Sequence, residues 1–183
     1  TLYNPVTRVF TKMKNTGVPV ADILQDCYGK VWVATNGNGL WAYNNKGEWK
    51  QYVYLNSNKP NAEPVLAINC IHEDEDGVLW IGTSNGLYKY HYVQDFFEKI
   101  NMNGVTNILG ITTIGKRMWM ATSSGIICYS LSLDKVLRVY KTGGNIASIN
   151  FMPEAIYNRN GRVYMGTSDG FITFEPENMR AND

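Results

Sequence analysis

The chain has 183 residues, of which 44% are hydrophobic and 13% aromatic, and this composition is sufficient for one globular domain with a substantial core. Its formal net charge of +1 argues against the strongly basic surface of a nucleic-acid-binding protein. No apolar run approaches the roughly 18 residues of a membrane-spanning helix. We therefore expect neither a nucleic-acid partner nor direct insertion into a membrane.

The first predicted element is a short strand at residues 6–10, where apolar and polar side chains alternate. It precedes the first of four similar units. We interpret it as an orphan outer strand that pairs with the last unit. Such pairing would close a ring of sheets and remove an exposed sheet edge.

Four units then follow, at residues 18–54, 64–100, 105–141 and 146–178. Each contains the pattern aromatic, apolar, small, Thr, followed by a polar turn and a glycine. The pattern begins at four anchor residues: Trp32, Trp80, Trp119 and Tyr164. A period of roughly 44 residues built from short strands is typical of a β-propeller, in which each unit is one antiparallel blade.

The sequence therefore predicts an all-β protein, a β-propeller of about four four-stranded antiparallel blades. It is either a closed four-blade ring or a half or fragment of a larger propeller. We expect the anchor aromatic residues to fill the space between blades. The small residue two positions later, such as Gly82, is expected to let an aromatic side chain of a neighbouring blade approach.

The motifs D-x-x-G-x-x-W-x-x-T at residues 26–35 and D-x-x-G-x-x-W-I-G-T-x-x-G-L at residues 74–87 resemble the two-component regulator propeller repeat. The resemblance covers about residues 15–178. The third unit departs from it because Thr112 stands three residues before Gly115, where the motif has Asp. The fourth unit departs because Tyr164 replaces Trp.

Repeats of this family build the periplasmic sensor regions of hybrid two-component systems of the Bacteroides type. The resemblance implies a periplasmic, ligand-sensing chain without catalysis of its own, in a parent protein whose histidine kinase lies elsewhere. The tail at residues 174–178 resembles the end of the last blade in that family. This implies the C-terminal part of a larger propeller.

The sequence and the family resemblance suggest three candidate functions. The first is sensing of a glycan or oligosaccharide, and the second is a structural or dimerisation spacer with the ligand bound elsewhere. The third, a propeller lyase, would need a histidine base and metal-binding carboxylates at one mouth. An open arc of blades would expose two apolar faces, so we expect self-association or association with the rest of a larger propeller.

Turns and connections at one face of the predicted ring are rich in amides, which can pair with sugar hydroxyls. The alternative is that Asn and Gly occur there because tight turns require them. Trp41 and Trp49 lie outside the repeated anchor position and are candidates for stacking on a ligand. The predicted ligand-binding residues are Asn36, Asn38, Trp41, Asn61, Glu63, Asn85, Asn145 and Asp169.

No catalytic motif, metal site or cofactor is predicted. We expect His72 and His91 to be exposed residues at strand ends, and the acidic run at residues 73–76 to be a solvated turn. The three cysteines are expected to be free thiols, with Cys70 and Cys128 in the core and Cys27 in a turn. The alternative is one long-range disulfide between two of them.

Overall fold

The structure is a computed structural model that describes residues 2–11, 14–55, 63–141 and 149–179. These residues form an N-terminal hairpin and four separate antiparallel sheets, so the predicted all-β propeller of four blades is confirmed. The hairpin consists of β1 (Leu2–Asn4) and β2 (Val9–Thr11). A short 3-10 turn at Pro176–Asn178 ends the described chain.

Within each blade the strands pair in chain order, starting from the innermost. Blade 1 contains β3 (Val20–Gln25), β4 (Val31–Thr35), β5 (Leu40–Tyr43) and β6 (Trp49–Tyr52). Blade 2 contains β7 (Ile68–Glu73), β8 (Leu79–Thr83), β9 (Gly86–His91) and β10 (Phe96–Lys99). Blade 3 contains β11 (Ile108–Ile114), β12 (Arg117–Thr122), β13 (Gly125–Ser130) and β14 (Lys135–Lys141). Blade 4 contains β15 (Phe151–Arg159), β16 (Arg162–Thr167) and β17 (Gly170–Phe174).

The expected closure by the N-terminal strand is wrong for the described residues. Strand β2 pairs with β1, and the sheet of blade 4 contains three strands. The local hairpin has a short turn that the Asn4 side chain stabilises by accepting hydrogen bonds from the amides of Val6 and Thr7. A partner this close in sequence costs little loop-closure entropy, whereas pairing with blade 4 would close a loop of most of the chain.

Three of the four anchor residues fill the space between blades, as predicted, whereas Tyr164 packs on Tyr157 of its own blade. The Trp32 ring lies 4.8 Å from the Tyr90 ring of blade 2, and Trp80 lies 6.2 Å from Tyr129 of blade 3. Trp119 lies 5.0 Å from Phe174 of blade 4. In each of these three contacts, the anchor on the second strand of one blade meets an aromatic residue on the third strand of the next blade.

The role of the small residue differs from the prediction. A Cβ at Gly82 would lie 2.4 Å from Cys70 Sγ and 2.9 Å from Ile108 Cγ2. Ile108 belongs to blade 3, so the close neighbour is aliphatic and not aromatic. A Cβ at Gly166 would lie 2.6 Å from the Ala155 Cβ of its own blade. The small residue thus accommodates the inner strand as well as the next blade.

The threonine of the pattern fixes the turn that follows it. The buried hydroxyls of Thr35, Thr83 and Thr122 donate hydrogen bonds of 2.6, 2.9 and 2.8 Å to the carbonyl of the glycine that ends each turn. The same hydroxyl oxygens accept a backbone amide from within the turn. Because a buried polar group needs a partner, this double use explains why the position takes Thr and not Val.

Three apolar clusters hold the four blades together, one at each junction between consecutive blades. In the described part of the chain, no such cluster joins blade 4 to blade 1. Strands β15 and β3 touch near the axis, but much less extensively than the inner strands of consecutive blades. In the described ranges, the faces of blades 1 and 4 are therefore not packed on each other as consecutive blades are.

Candidate functional site

The aspartate of the repeat motif holds the anchor indole. Trp32 Nε1 donates to Asp26 Oδ2 at 2.8 Å, and Trp80 Nε1 donates to Asp74 Oδ2 at 2.8 Å. The other carboxylate oxygen of each Asp accepts backbone amides of the turn. Asp74 is buried and not part of a solvated turn as predicted, because this network replaces its water contacts. These residues maintain the fold and are not available to a ligand.

A cleft with a volume of about 530 Å³ lies at the outer rim between blades 1 and 2. We call it the Lys30–Asp95 cleft. Its lining combines cationic, anionic, amide and phenolic groups over a small apolar base. The lining residues are Lys30, Ala42, Asn44, Glu48, Trp49, Lys50, Tyr52 and Asp95.

Asp95 is the most connected side chain of the cleft. Its Oδ1 accepts hydrogen bonds of 2.6 Å from the hydroxyls of both Tyr52 and Tyr90, and its Oδ2 forms an ion pair with Lys50. Burial by itself would raise the pKa of Asp95, but the hydrogen bonds from Lys50, Tyr52 and Tyr90 outweigh it and hold the pKa below its usual value. Asp95 therefore stays ionised and joins the two blades.

Lys30 lies over aromatic rings and shares the Tyr90 hydroxyl with Asp95. Its Nζ is 4.3 Å from the centre of the Trp32 ring and donates a hydrogen bond of 3.0 Å to the Tyr90 hydroxyl. Burial lowers the pKa of Lys30, while the charges of Asp95 and Asp26 oppose the shift. A half-buried ammonium group held over rings is positioned before any ligand arrives, which reduces the entropy cost of binding.

This arrangement suits recognition of neutral, hydroxyl-rich molecules. Both charge signs line the cleft, together with the Asn44 amide and the Tyr52 hydroxyl. A ligand that both donates and accepts hydrogen bonds can pair with such a surface. Among the described residues, no group of three or more His, Cys, Asp or Glu side chains is arranged to hold a metal ion.

The residues predicted from the sequence are distributed over several blades. Asn36 is exposed and forms an isolated β-bridge with Ala67, just before the first strand of blade 2. The Asn38 side chain donates to the Thr16 carbonyl at 2.8 Å and accepts from Gln51 at 2.9 Å. The turn therefore already uses the polar groups of Asn38.

Asn85 and Asp169 lie in the corresponding turns of blades 2 and 4. Asn85 accepts a hydrogen bond of 3.1 Å from Lys99 and lines a second cleft of about 470 Å³. Asp169 accepts one of 3.1 Å from Ser168. Glu63 is exposed. Asn61 and Asn145 lie outside the described residues.

Trp41 lies on the face of blade 1 opposite to the cleft. The Lys14 ammonium group is 4.7 Å from the centre of its ring, and its ring is 6.5 Å from that of Trp49. None of the six predicted residues that the structure describes lines the Lys30–Asp95 cleft. A sequence signal for Asp95 does exist, because Tyr90 and Asp95 are five residues apart, like the hydrogen-bonded pair Tyr129 and Asp134.

His72 is not an exposed strand-end residue as predicted. Its Nε2 is 2.9 Å from the Thr113 hydroxyl of blade 3, so the ring lies between two inner strands. Burial lowers the pKa of His72, and the charges of Asp74 and Glu73 oppose the shift. The three cysteines are free, with Cys70 and Cys128 buried.

Asp22 on β3 and Glu154 on β15 interact electrostatically where these strands meet near the axis. Asp22 Oδ2 accepts the Ile71 amide at 2.8 Å. Burial together with the charge of Asp22 raises the pKa of Glu154 to about 7. Among the described residues, Glu154 Oε1 is buried without a hydrogen-bond partner. This pair makes the contact between the first and last blades electrostatically unfavourable when both groups are ionised.

Comparison with solved structures shows similarity to large bacterial surface domains. The extracellular domain of a putative one component system from B. thetaiotaomicron is 24% identical with a TM-score of 0.66, and the match covers 87% of this chain and 20% of that chain. The extracellular domain of a putative hybrid two component system from the same organism is 19% identical with a TM-score of 0.68, over 93% of this chain and 23% of that one.

A third similar structure is PorZ, a surface component of the type-IX secretion system of Porphyromonas gingivalis. It is 18% identical with a TM-score of 0.70, and the match covers 94% of this chain and 28% of that chain. At these identities the likeness shows the fold. The chain spans between 20% and 28% of the length of these proteins. In the ranges that the structure describes, no helix has the length and apolar character to cross a membrane.

The family model described as two component regulator propeller matches residues 63–85, which include the Asp74–Trp80 pair and the Thr83 turn. No curated protein sequence matches the chain. The resemblance inferred from the motifs is thereby confirmed at residues 63–85, which match the two component regulator propeller repeat.

Proposed function

We propose that this chain is a ligand-sensing portion of an extracytoplasmic propeller in a two-component signalling protein, and that it binds an oligosaccharide in the Lys30–Asp95 cleft. The family match and the similarity to extracellular domains of B. thetaiotaomicron regulators support the sensing role. The same similar structures, which are extracellular domains, support the extracytoplasmic location. The chain itself carries out no catalysis in this proposal.

The observation that carries the proposal is the position of Asp95 at a junction between two blades. Its carboxylate belongs to blade 2, whereas Tyr52 and Lys50, which donate to it, belong to blade 1. A sugar that exchanges hydrogen bonds with Asp95 and Lys30 would contact both blades. Binding can change the arrangement of blades only if the ligand has different affinities for the two arrangements, and a junction is where such a difference arises.

The second candidate function is a structural spacer without a ligand of its own. The exposed end faces of blades 1 and 4 favour it, because apolar faces of this kind are surfaces for association. The two functions differ in one respect that can be measured. A sensor binds a small molecule in its cleft, and a spacer does not.

Isothermal titration calorimetry of the chain against a panel of oligosaccharides tests the proposal. We expect at least one member to bind, and Asp95→Asn to weaken that binding about tenfold, since a hydrogen bond to a charged group contributes roughly 1.5–3 kcal/mol. The matched control is Asp134→Asn, which alters the equivalent Tyr129–Asp134 pair in blade 3. Equal effects of the two variants would contradict the site, and no heat with any sugar would favour the spacer.

A further inference from the structure

A cleft of about 400 Å³ lies between the outer strands of blade 3 and the 3-10 turn that follows blade 4. We call it the Arg117–Arg138 cleft. Strand pairing makes it the counterpart of the Lys30–Asp95 cleft, two junctions away. Lys30, Ala42, Lys50 and Tyr52 of that cleft correspond by register to Arg117, Cys128, Arg138 and Tyr140.

Two arginines lie on the same face of blade 3 as the anchor. Cys128 pairs with Trp119 on one side and with Arg138 on the other, and Arg117 is two residues from Trp119 on β12. Because side chains alternate along a strand, these positions share one face. Burial raises the pKa of the Cys128 thiol, and the charges of Arg117 and Arg138 oppose the shift. Both guanidinium groups are therefore close to the cleft.

The charges of these arginines are not matched by a carboxylate. In the Lys30–Asp95 cleft, Asp95 forms an ion pair with Lys50. Neither Arg117 nor Arg138 forms an ion pair with any residue that the structure describes. Glu177 lines the cleft, but it is exposed and pairs with neither of them. The cleft thus combines two guanidinium groups with no fixed counter-charge.

A buried donor in the cleft lining indicates the same ligand chemistry. Trp119 is 1% exposed, and its Nε1 has no acceptor in the described part of the chain. In blades 1 and 2 the anchor indole donates to a carboxylate, that of Asp26 or Asp74. Strand pairing places Ile114 at the corresponding position of blade 3, opposite Arg117. An acceptor for this indole therefore has to come from outside the repeat motif.

We propose that the Arg117–Arg138 cleft binds the carboxylate group of a small organic acid, with the two guanidinium groups as its ion-pair partners beside the Trp119 indole. A guanidinium group presents parallel N–H donors that match the two oxygens of a carboxylate. The chain itself places carboxylates beside the anchor indole in blades 1 and 2 and on Lys50 in the counterpart cleft. This site goes beyond the proposed oligosaccharide site, because it differs in charge and lies at another junction.

Titration with acetate, succinate and glucuronate tests the proposal, with the Trp119 indole N–H signal of a nitrogen–proton correlation spectrum as the readout. Glucose is the uncharged counterpart of glucuronate, and sodium chloride is the control for a simple anion. Constant ionic strength separates binding from general screening. We expect at least one of the acids to shift the Trp119 signal to saturation and both controls to leave it in place.

Arginine variants identify the site. Arg117→Gln and Arg138→Gln each replace an exposed side chain, so both proteins should fold, as circular dichroism would verify. We expect each to weaken binding of the acid about tenfold, as for the loss of one hydrogen bond between charged groups. Arg159→Gln is the matched control, because Arg159 is an exposed arginine at the end of β15 and does not line the cleft.

Three results would overturn the proposal. The first is a Trp119 signal that none of the acids shifts. The second is an equal shift with chloride, which would show a site for any anion. The third is an affinity that Arg117→Gln and Arg138→Gln change no more than Arg159→Gln does. The Trp32 signal reports on the Lys30–Asp95 cleft, so binding at the two clefts is measured separately.

Discussion

Trp80 Nε1 donates a hydrogen bond of 2.8 Å to the buried carboxylate of Asp74. The same carboxylate accepts the amides of Asp76 and Val78, so one side chain fixes both the turn between β7 and β8 and the indole between blades 2 and 3. The third unit lacks the aspartate, and there the buried Trp119 Nε1 has no partner among the described residues. The aspartate of the repeat motif therefore orients the anchor indole.

Asp74→Ala should lower the free energy of unfolding by about 2–4 kcal/mol, because it leaves a buried indole N–H and turn amides without acceptors. Urea denaturation followed by tryptophan fluorescence measures the change. Asp76→Ala in the same turn is the control, because its carboxylate is exposed and pairs with Lys116 at the surface. A loss below about 0.5 kcal/mol for Asp74→Ala, as expected of a surface substitution, would contradict this role.

Gly82→Ala should destabilise the protein by about 1–3 kcal/mol, because the added methyl group would lie 2.4 Å from Cys70 Sγ and 2.9 Å from Ile108 Cγ2. The double variant Cys70→Ala/Gly82→Ala removes the nearer of these atoms. We expect the cost of Gly82→Ala, measured by thermal unfolding, to be smaller in the Cys70→Ala background. Equal costs in both backgrounds would show that Cys70 does not limit the space at this position.

Protonation of His72 should destabilise the fold as the pH falls. Burial lowers the pKa of His72 in the folded state, so the unfolded chain binds the proton more tightly. Stability is then lost as the pH falls below about 6.5, the usual value for histidine. Denaturation midpoints of wild type and His72→Gln between pH 7 and pH 5 measure the effect. The variant should lose less stability over this range, and an identical loss would contradict the account.

Ionisation of Glu154 should destabilise the fold as the pH rises, the opposite pH dependence to that of His72. Burial and the charge of Asp22 raise the pKa of Glu154 to about 7 in the folded state. The stabilisation from its protonated form is therefore complete below the pKa of about 4.3 in the unfolded chain, and it is lost as the pH rises through 7. Glu154→Gln should therefore stabilise the protein at pH 8 relative to wild type, with little effect near pH 4.5. The exposed Glu75→Gln is the control. Equal pH profiles of Glu154→Gln and wild type would contradict the prediction.

The blades could be predicted from the sequence because their pattern is local and repeated. The anchor, the small residue and Thr83 lie within four consecutive positions, and each has a role inside one blade or at one junction. The prediction of an aromatic neighbour for the small residue was wrong, because the side chain that contacts Gly82 from the next blade is Ile108. No spacing within a single unit encodes that contact.

The Lys30–Asp95 cleft could not be predicted in the same way. Lys30 and Tyr90 are sixty positions apart and meet only when blades 1 and 2 pack. The amides at Asn38 and Asn85 were prominent in the sequence, but turns and a neighbouring lysine use their polar groups. The pairing of β2 was also mispredicted. Strand β2 pairs with β1 because Asn4 stabilises the turn between them, and no feature of blade 4 indicates this.

Oligosaccharide binding at the junction of blades 1 and 2 would be detected most directly at the Trp32 indole. The five tryptophans should give five indole N–H signals in a nitrogen–proton correlation spectrum, and the Trp32 indole lies directly beneath the Lys30 ammonium group. Titration with an oligosaccharide that binds by calorimetry should shift the Trp32 signal and leave the signals of Trp80 and Trp119 unchanged. Shifts at Trp80 or Trp119 with a stationary Trp32 signal would contradict binding at this junction.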